Sequence, residues 1–280
     1  MKALSRLCRL LAIAAPLVLL TFPSLAQTSI APNAAPQKDA MRNYGPAHPT
    51  GACVAAPDAG RFVKPLLRLA QLLANGRPVT IVAFGSSSTA GAGASSSAMA
   101  YPSRLEAELK KRFANAPIRV LNRGVNGEEA PEMLARLDAS VIAEKPDLVL
   151  WQLGSNAVLR DRGVDEMLPV IRQGLARMRD AGIDVVIIDP QYAPRVIAKP
   201  DAERMVSLLS TIAKLDSVDL FHRFASMRYW REVKKVPFEV FLAADGLHLN
   251  DWSYGCIAKL LAADIAEAAT RAPMTAGAVR

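Results

Sequence analysis

Cysteine is scarce. There are three in 280 residues, at Cys8, Cys53 and Cys256, too few for a small fold stapled by disulfides. No group of His, Cys, Asp and Glu recurs at metal-ligand spacing, so neither a metal nor any other cofactor is expected. Histidine is equally rare, with three residues, at His48, His222 and His248, so any imidazole chemistry rests on a short candidate set. The glycine-rich stretch Gly85–Gly93 lacks a following Gly-Lys-Ser/Thr, and Gly91 and Gly93 miss the dinucleotide spacing, which argues against a phosphate loop. Basic residues are scattered over amphipathic segments rather than gathered in a patch, which excludes a nucleic-acid-binding reading. No internal repeat is present.

The first residues have the pattern of an export signal. Lys2, Arg6 and Arg9 precede the apolar run 10–20, and Ser24-Leu25-Ala26 supplies small residues for cleavage before Gln27. The run is short for a membrane span and is interrupted by Pro16, so no stable membrane anchor is expected once residues 1–26 are removed. Removing the three basic residues of the leader from the 34 of the chain leaves 31 against 26 acidic ones, a net charge of about +5. The expected location is periplasmic or secreted. Export permits a disulfide between Cys53 and Cys256, which would tie the N-terminal extension to the last helix; two unpaired thiols are the alternative.

Residues 27–60 are rich in Ala, Pro and small polar residues without periodicity, and read as an extension. Residues 61–272 form one expected domain, with a tail at 273–280. Within the domain, short apolar runs alternate with amphipathic ones. Strands are expected at 79–83, 118–121, 147–153, 183–188 and 218–221, and helices at 62–73, 101–113, 130–142, 165–179, 201–214 and 252–270. The pattern predicts an α/β fold, a three-layer α/β/α sandwich with a parallel sheet of about five strands. In such a sheet, sites form beyond the carboxyl ends of the strands.

The chemistry-bearing segments fall there. Gly85-Ser86-Ser87-Ser88-Thr89 follows the first strand, where a glycine permits a sharp turn that exposes a hydroxyl. An ordinary Ser-rich turn or helix cap is the structural alternative, and Ser95-Ser96-Ser97 shows how common such runs are. Asp245-Gly246-Leu247-His248 precedes the last helix. Serine needs a base to take its proton, an imidazole can serve, and a carboxylate on the second ring nitrogen fixes the tautomer. Of the three histidines, only His248 has such a partner built into its own segment. Asn122…Gly127 and Gly154-Ser155-Asn156 follow the second and third strands and offer N–H donors suited to an oxyanion. Taken singly, each reads more readily as a structural turn.

In order and spacing, these four segments resemble the blocks of the SGNH hydrolase superfamily, which includes the GDSL-type esterases and lipases, over about residues 79–261. The resemblance implies Ser87 as nucleophile, His248 as base and Asp245 as its orienting carboxylate. It implies an oxyanion hole from the Ser87 N–H, the Gly127 N–H and the Asn156 side chain. Two positions depart from the pattern: Ser86 replaces the usual aspartate before the nucleophile, and Ala157 replaces the aspartate after the block III asparagine. The absence of a Gly-x-Ser-x-Gly elbow separates the chain from α/β-hydrolases. The implied function is an exported serine esterase acting through an acyl-enzyme on a small-molecule or glycan ester, with a short acyl group such as O-acetyl on a carbohydrate. The alternatives are an O-acyltransferase using the same site and a non-catalytic carbohydrate-binding module. Tyr192 and Arg195, beside Gln191 after the fourth strand, are candidates to line the substrate site, against loop packing around Pro190 and Pro194.

Overall fold

The computed structural model describes residues 53–57 and 59–271; the expected signal peptide and tail lie outside them. Five parallel strands form one sheet: β1 (Val79–Gly85), β2 (Ile118–Gly124), β3 (Leu148–Gln152), β4 (Asp184–Ile188) and β5 (Asp219–Phe221), in the order β2-β1-β3-β4-β5. Chain order runs outward in both directions from the β1–β3 pair, the arrangement that opens a crevice at the carboxyl ends of those strands. The inner strands β1, β3 and β4 are almost wholly buried because helices cover both faces.

The helices are α1 (Leu67–Ala74), α2 (Ser87–Ala90), α3 (Tyr101–Arg112), α4 (Ala130–Ala135), α5 (Leu137–Ser140), α6 (Ser155–Leu159) and α7 (Val164–Asp180). They continue with α8 (Pro194–Ile197), α9 (Ala202–Leu215), α10 (Arg223–Glu232), α11 (Phe238–Phe241) and α12 (Asp251–Thr270). Helix α12 packs on α3 and α1, while α7 packs on α4 and α9, giving the three-layer sandwich. Trp151 of β3 is fully buried beneath α7, where Gly174 leaves room for its ring.

Several boundaries differ from the sequence-based expectation. The first helix begins at Leu67 rather than 62, because Pro65 lacks an N–H and biases the residue before it away from helix; Phe62 is buried as part of the approach segment. The helix expected over 130–142 is broken at Arg136 into α4 and α5. Strand β2 runs on through Asn122-Arg123-Gly124, which pair with Ala83-Phe84-Gly85. Helix α10 was not expected at all. Its first two side chains, Arg223 and Phe224, are buried together, so it shows no clean polar face.

Candidate active site

Ser87 starts α2 rather than sitting in an open turn, with Ser86 as the preceding cap residue. Ser86, Ser88 and Thr89 are buried, and Ser87 alone of the four is half-buried. The cause is a polar partner under the turn. Gln152, the last residue of β3, accepts hydrogen bonds through Oε1 from Ser86 N at 2.9 Å, Ser86 Oγ at 3.0 Å and Thr89 Oγ1 at 3.3 Å. Ser86, standing where an aspartate is usual, therefore serves as a donor to a buried amide oxygen. Gly124 lets α2 lie directly on β2, since a Cβ there would collide with the Ala90 backbone.

The second half of the site is the loop after α11. A β-bridge between Leu242 and Leu249 closes its base, and Ala243 N donates to His248 O at 2.8 Å. Asp245 Oδ1 accepts the Leu247 and His248 backbone N–H groups, each at 3.0 Å, while Oδ2 lies 2.5 Å from His248 Nδ1. Partial burial pushes the Asp245 carboxyl up, but the His248 N–H and ring and the Leu247 N–H outweigh it and hold it down at about 2. An ionised Asp245 places the ring proton on Nδ1 and leaves Nε2 as an acceptor. Nε2 is 2.9 Å from Ser87 Oγ, across 161 residues of sequence. Hydroxyl, imidazole and carboxylate thus form one continuous hydrogen-bonded chain, an arrangement able to transfer the serine proton as the oxygen attacks.

Flanking contacts hold the two halves together. Asp251, the first residue of α12, accepts Ser95 N at 2.8 Å and Ser95 Oγ at 2.6 Å, and Tyr254 Oη donates to Ala92 O at 2.7 Å. Asn250 caps α12 through the Ser253 N–H. From the β4 side, Gln191 Oε1 accepts Ser155 Oγ at 2.7 Å and Arg223 Nη2 at 3.0 Å, and its Nε2 donates to Leu247 O at 3.4 Å. Arg223 is 2% exposed and also donates to the Asp189 carbonyl. Burial raises the Asp189 carboxyl to about 7 against the lowering effects of the Phe224 N–H and Arg223, and its Oδ2 has no hydrogen-bond partner.

Gly127 and Asn156 are each half-buried. Gly127 takes φ +81°, a conformation that favours glycine. Asn156, in the first turn of α6, donates one Nδ2 hydrogen to Glu128 O at 2.8 Å, which ties it to the residue after Gly127 and leaves its second N–H uncommitted to that bond. The β2–α4 loop is drawn to the end of β1 by Val125 N donating to Gly85 O at 3.0 Å. Tyr192 packs edge-on to Phe224, stacks on Phe238 and hydrogen-bonds Glu232 Oε1, the loop-packing alternative. Arg195 is exposed and its backbone N–H meets Gly246 O at 3.4 Å, so it lies beside the His248 loop. Trp252, the second residue of α12, packs edge-on against Trp230.

Cys53 and Cys256 are joined by a disulfide with Cα atoms 5.3 Å apart. It fastens the residues before the domain to α12, assisted by Trp230 Nε1 donating to Val54 O at 2.7 Å. Sequence reasoning missed Gln152, Arg223 and Glu128. Gln152 left a readable trace, a lone amide at the end of an apolar strand; the other two left none. Two clefts of about 250 and 320 Å³, the first at the amino ends of β4 and β5 and the second along β5, are lined by Lys64 and Asp219 and by none of Ser87, Gly127, Asn156, Asp245 and His248.

Known proteins share the family and the fold of this chain. Residues 52–271 match the model of the non-GDSL lipase-like family. Over 95 residues the chain is 33% identical to the esterase TesA of Pseudomonas aeruginosa; the match takes in 32% of this chain and 47% of that one, so the chain spans about half the length of this curated relative. The acetylxylan esterase Axe2 of Geobacillus stearothermophilus is similar in structure, with a TM-score of 0.58 and 20% identity over 70% of this chain and 97% of that one. A two-domain esterase active on acetylated mannans gives a TM-score of 0.62 at 18% identity, over 76% and 56% of the two chains. At these identities the structural likeness is one of fold.

Proposed function

The chain belongs to the non-GDSL lipase-like family, and from that premise we propose that it is an exported serine esterase. Ser87 Oγ attacks the ester carbonyl while His248 Nε2 takes its proton. The proton then passes to the leaving alcohol, and the acyl group stays on Ser87 until water, activated by the same imidazole, releases it. Asp245 orients the ring and stabilises the imidazolium. The Ser87 N–H, the Gly127 N–H and the second Asn156 N–H are the donors to the developing oxyanion. The observation that carries this reading is the unbroken path from Ser87 Oγ through His248 to Asp245.

The substrate is a short-chain ester, with O-acetyl on a carbohydrate as the favoured form. Two fold neighbours support this by their own activities, one on acetylated xylan and one on acetylated mannans. Export is supported by the leader-like first 26 residues and by the disulfide, a bond suited to an oxidising compartment. The test is labelling with a fluorophosphonate probe, followed by hydrolysis of p-nitrophenyl esters and acetylated polysaccharides. Wild type should label and release acetate, and Ser87→Ala should do neither. Persistent labelling of Ser87→Ala removes the assigned nucleophile, and failure of wild type to label favours a binding module. Acyl transfer to an added sugar at the expense of hydrolysis marks a transferase.

A further inference from the structure

The two oxyanion donors outside α2 share one neighbour. Glu128 follows Gly127, and its carbonyl oxygen receives the Asn156 amide at 2.8 Å. With Ala157 supplying no carboxylate to hold Asn156, the plane of that amide is set by where Glu128 O lies. Glu128 in turn is gripped by Arg136. The guanidinium Nε lies 2.9 and 2.8 Å from the two carboxylate oxygens and Nη2 lies 2.6 Å from Oε2. Both side chains are largely sheltered, at 20% and 14% exposure, where such a pair is weakly screened.

The same guanidinium reaches the nucleophile strand. It sits 4.5 Å from the centroid of the Phe84 ring, and Nη2 also donates to Arg123 O at 2.9 Å and approaches Gly85 O at 3.5 Å. Phe84 and Gly85 lead directly into Ser86 and Ser87. Arg136 is also the residue at which α4 stops and α5 begins. The helix thus breaks where its side chain spans the ends of β1 and β2 and the Gly127–Glu128 turn. A planar five-donor fork can hold a carboxylate and a strand carbonyl together; a lysine has one nitrogen for the same acceptors.

We propose that Arg136 is a positioning residue that, through Glu128, sets the Gly127 N–H and the Asn156 amide against Ser87. The inference rests on the esterase reading. A clamp of purely structural worth would lower stability and leave turnover per folded molecule intact, whereas a substrate contact would raise KM. A positioning clamp lowers kcat with little change in KM.

The experiment uses the full chain and its Arg136→Gln, Arg136→Lys and Glu128→Gln variants. Steady-state hydrolysis of p-nitrophenyl acetate is paired with solvent exchange of the Asn156 side-chain amide, measured by nitrogen-15 NMR. In Arg136→Gln, kcat should fall roughly tenfold to a hundredfold, less than the 10²–10³ of deleting a donor outright. KM should stay within about threefold, and Asn156 exchange should quicken about tenfold as the amide loses its fixed acceptor. Arg136→Lys should lie between. The proposal is overturned if folded Arg136→Gln keeps either kcat or Asn156 exchange within twofold of wild type, or if KM rises at constant kcat. Should Arg136→Gln not fold, Arg136→Lys and Glu128→Gln carry the same two readouts. An inactive wild type would remove the esterase reading, and unchanged Asn156 exchange in the variants would separately remove the clamp.

Discussion

The two ends of the sheet are built from different polar chemistry. At the amino end, carboxylates stand at the starts of β3, β4 and β5. Asp147 accepts the Thr80 N–H at 2.9 Å and Arg68 Nε at 3.0 Å, and Asp219 accepts the Val63 N–H at 2.7 Å. Burial raises Asp184 and Asp219 above the usual carboxylate range, with Arg68 opposing this for Asp184 and the Val63 N–H for Asp219. At the carboxyl end two neutral amides lie directly against the candidate reacting segments, Gln152 beneath the Ser86–Ser87 turn and Gln191 beneath the His248 loop, while the charged groups, Arg223 and the Arg136–Glu128 pair, bond to Gln191 or to the adjoining strand ends. Carboxylates can pin backbone N–H groups beside clefts open to water. A neutral amide can sit buried beneath a reacting hydroxyl without adding a charge that would compete with the imidazolium or the oxyanion. One end fastens the approach segment to the sheet; the other places reacting groups.

That contrast can be broken by substitution. The largest effect belongs to His248→Ala, which should cost about 10⁴-fold in kcat, or about 5.5 kcal/mol, by esterase assay, with little change in thermal melting. Next is Gln152→Ala. It strips acceptors from Ser86 N, Ser86 Oγ and Thr89 Oγ1 in a buried place, and should lower both stability, by about 2–4 kcal/mol in urea unfolding, and kcat. Replacing Cys53 and Cys256 together by serine should cost about 2–4 kcal/mol of stability. Smaller again is Asp219→Ala, which loses the Val63 and Lys64 N–H contacts and should cost about 1–2 kcal/mol while kcat holds. A fall in kcat here equal to that of Gln152→Ala would erase the distinction between the two ends.

The finest test is in pH. Burial raises Asp189 to about 7, so between about pH 4 and 7 the folded chain keeps a proton that the unfolded chain has released. Its contribution is therefore full below pH 4 and is lost as pH rises toward 7, with a slope of at most about 1.4 kcal/mol per pH unit. Asp189→Asn keeps an oxygen for the Phe224 N–H and should flatten that slope in urea unfolding. Asp245 runs the opposite way. Its carboxyl, held at about 2, favours the folded state above pH 4, and this is lost as pH falls through about 2.

The legible parts of the molecule carry their own local pattern. The five strands, their parallel class and the four polar segments stood out because apolar runs, glycine stops and the Asp-x-x-His spacing are short-range features. The first helix was misplaced at 62–66 because its apolar residues outweighed Pro65. Helix α10 escaped because burying Arg223 and Phe224 together removes the contrast between faces on which such reading depends.

The order of residues by itself therefore determined the alternating strand and helix layout and put every candidate reacting group at a strand end or beside the last helix. Tertiary structure alone decided how those groups are held: Gln152 under Ser86, Gln191 against Ser155 and Leu247, and Arg136 on Glu128. The physical reason is distance along the chain. A hydrogen bond such as that from Ser87 to His248 spans 161 residues, and its partners become neighbours only after burial of the apolar strands has brought their ends together.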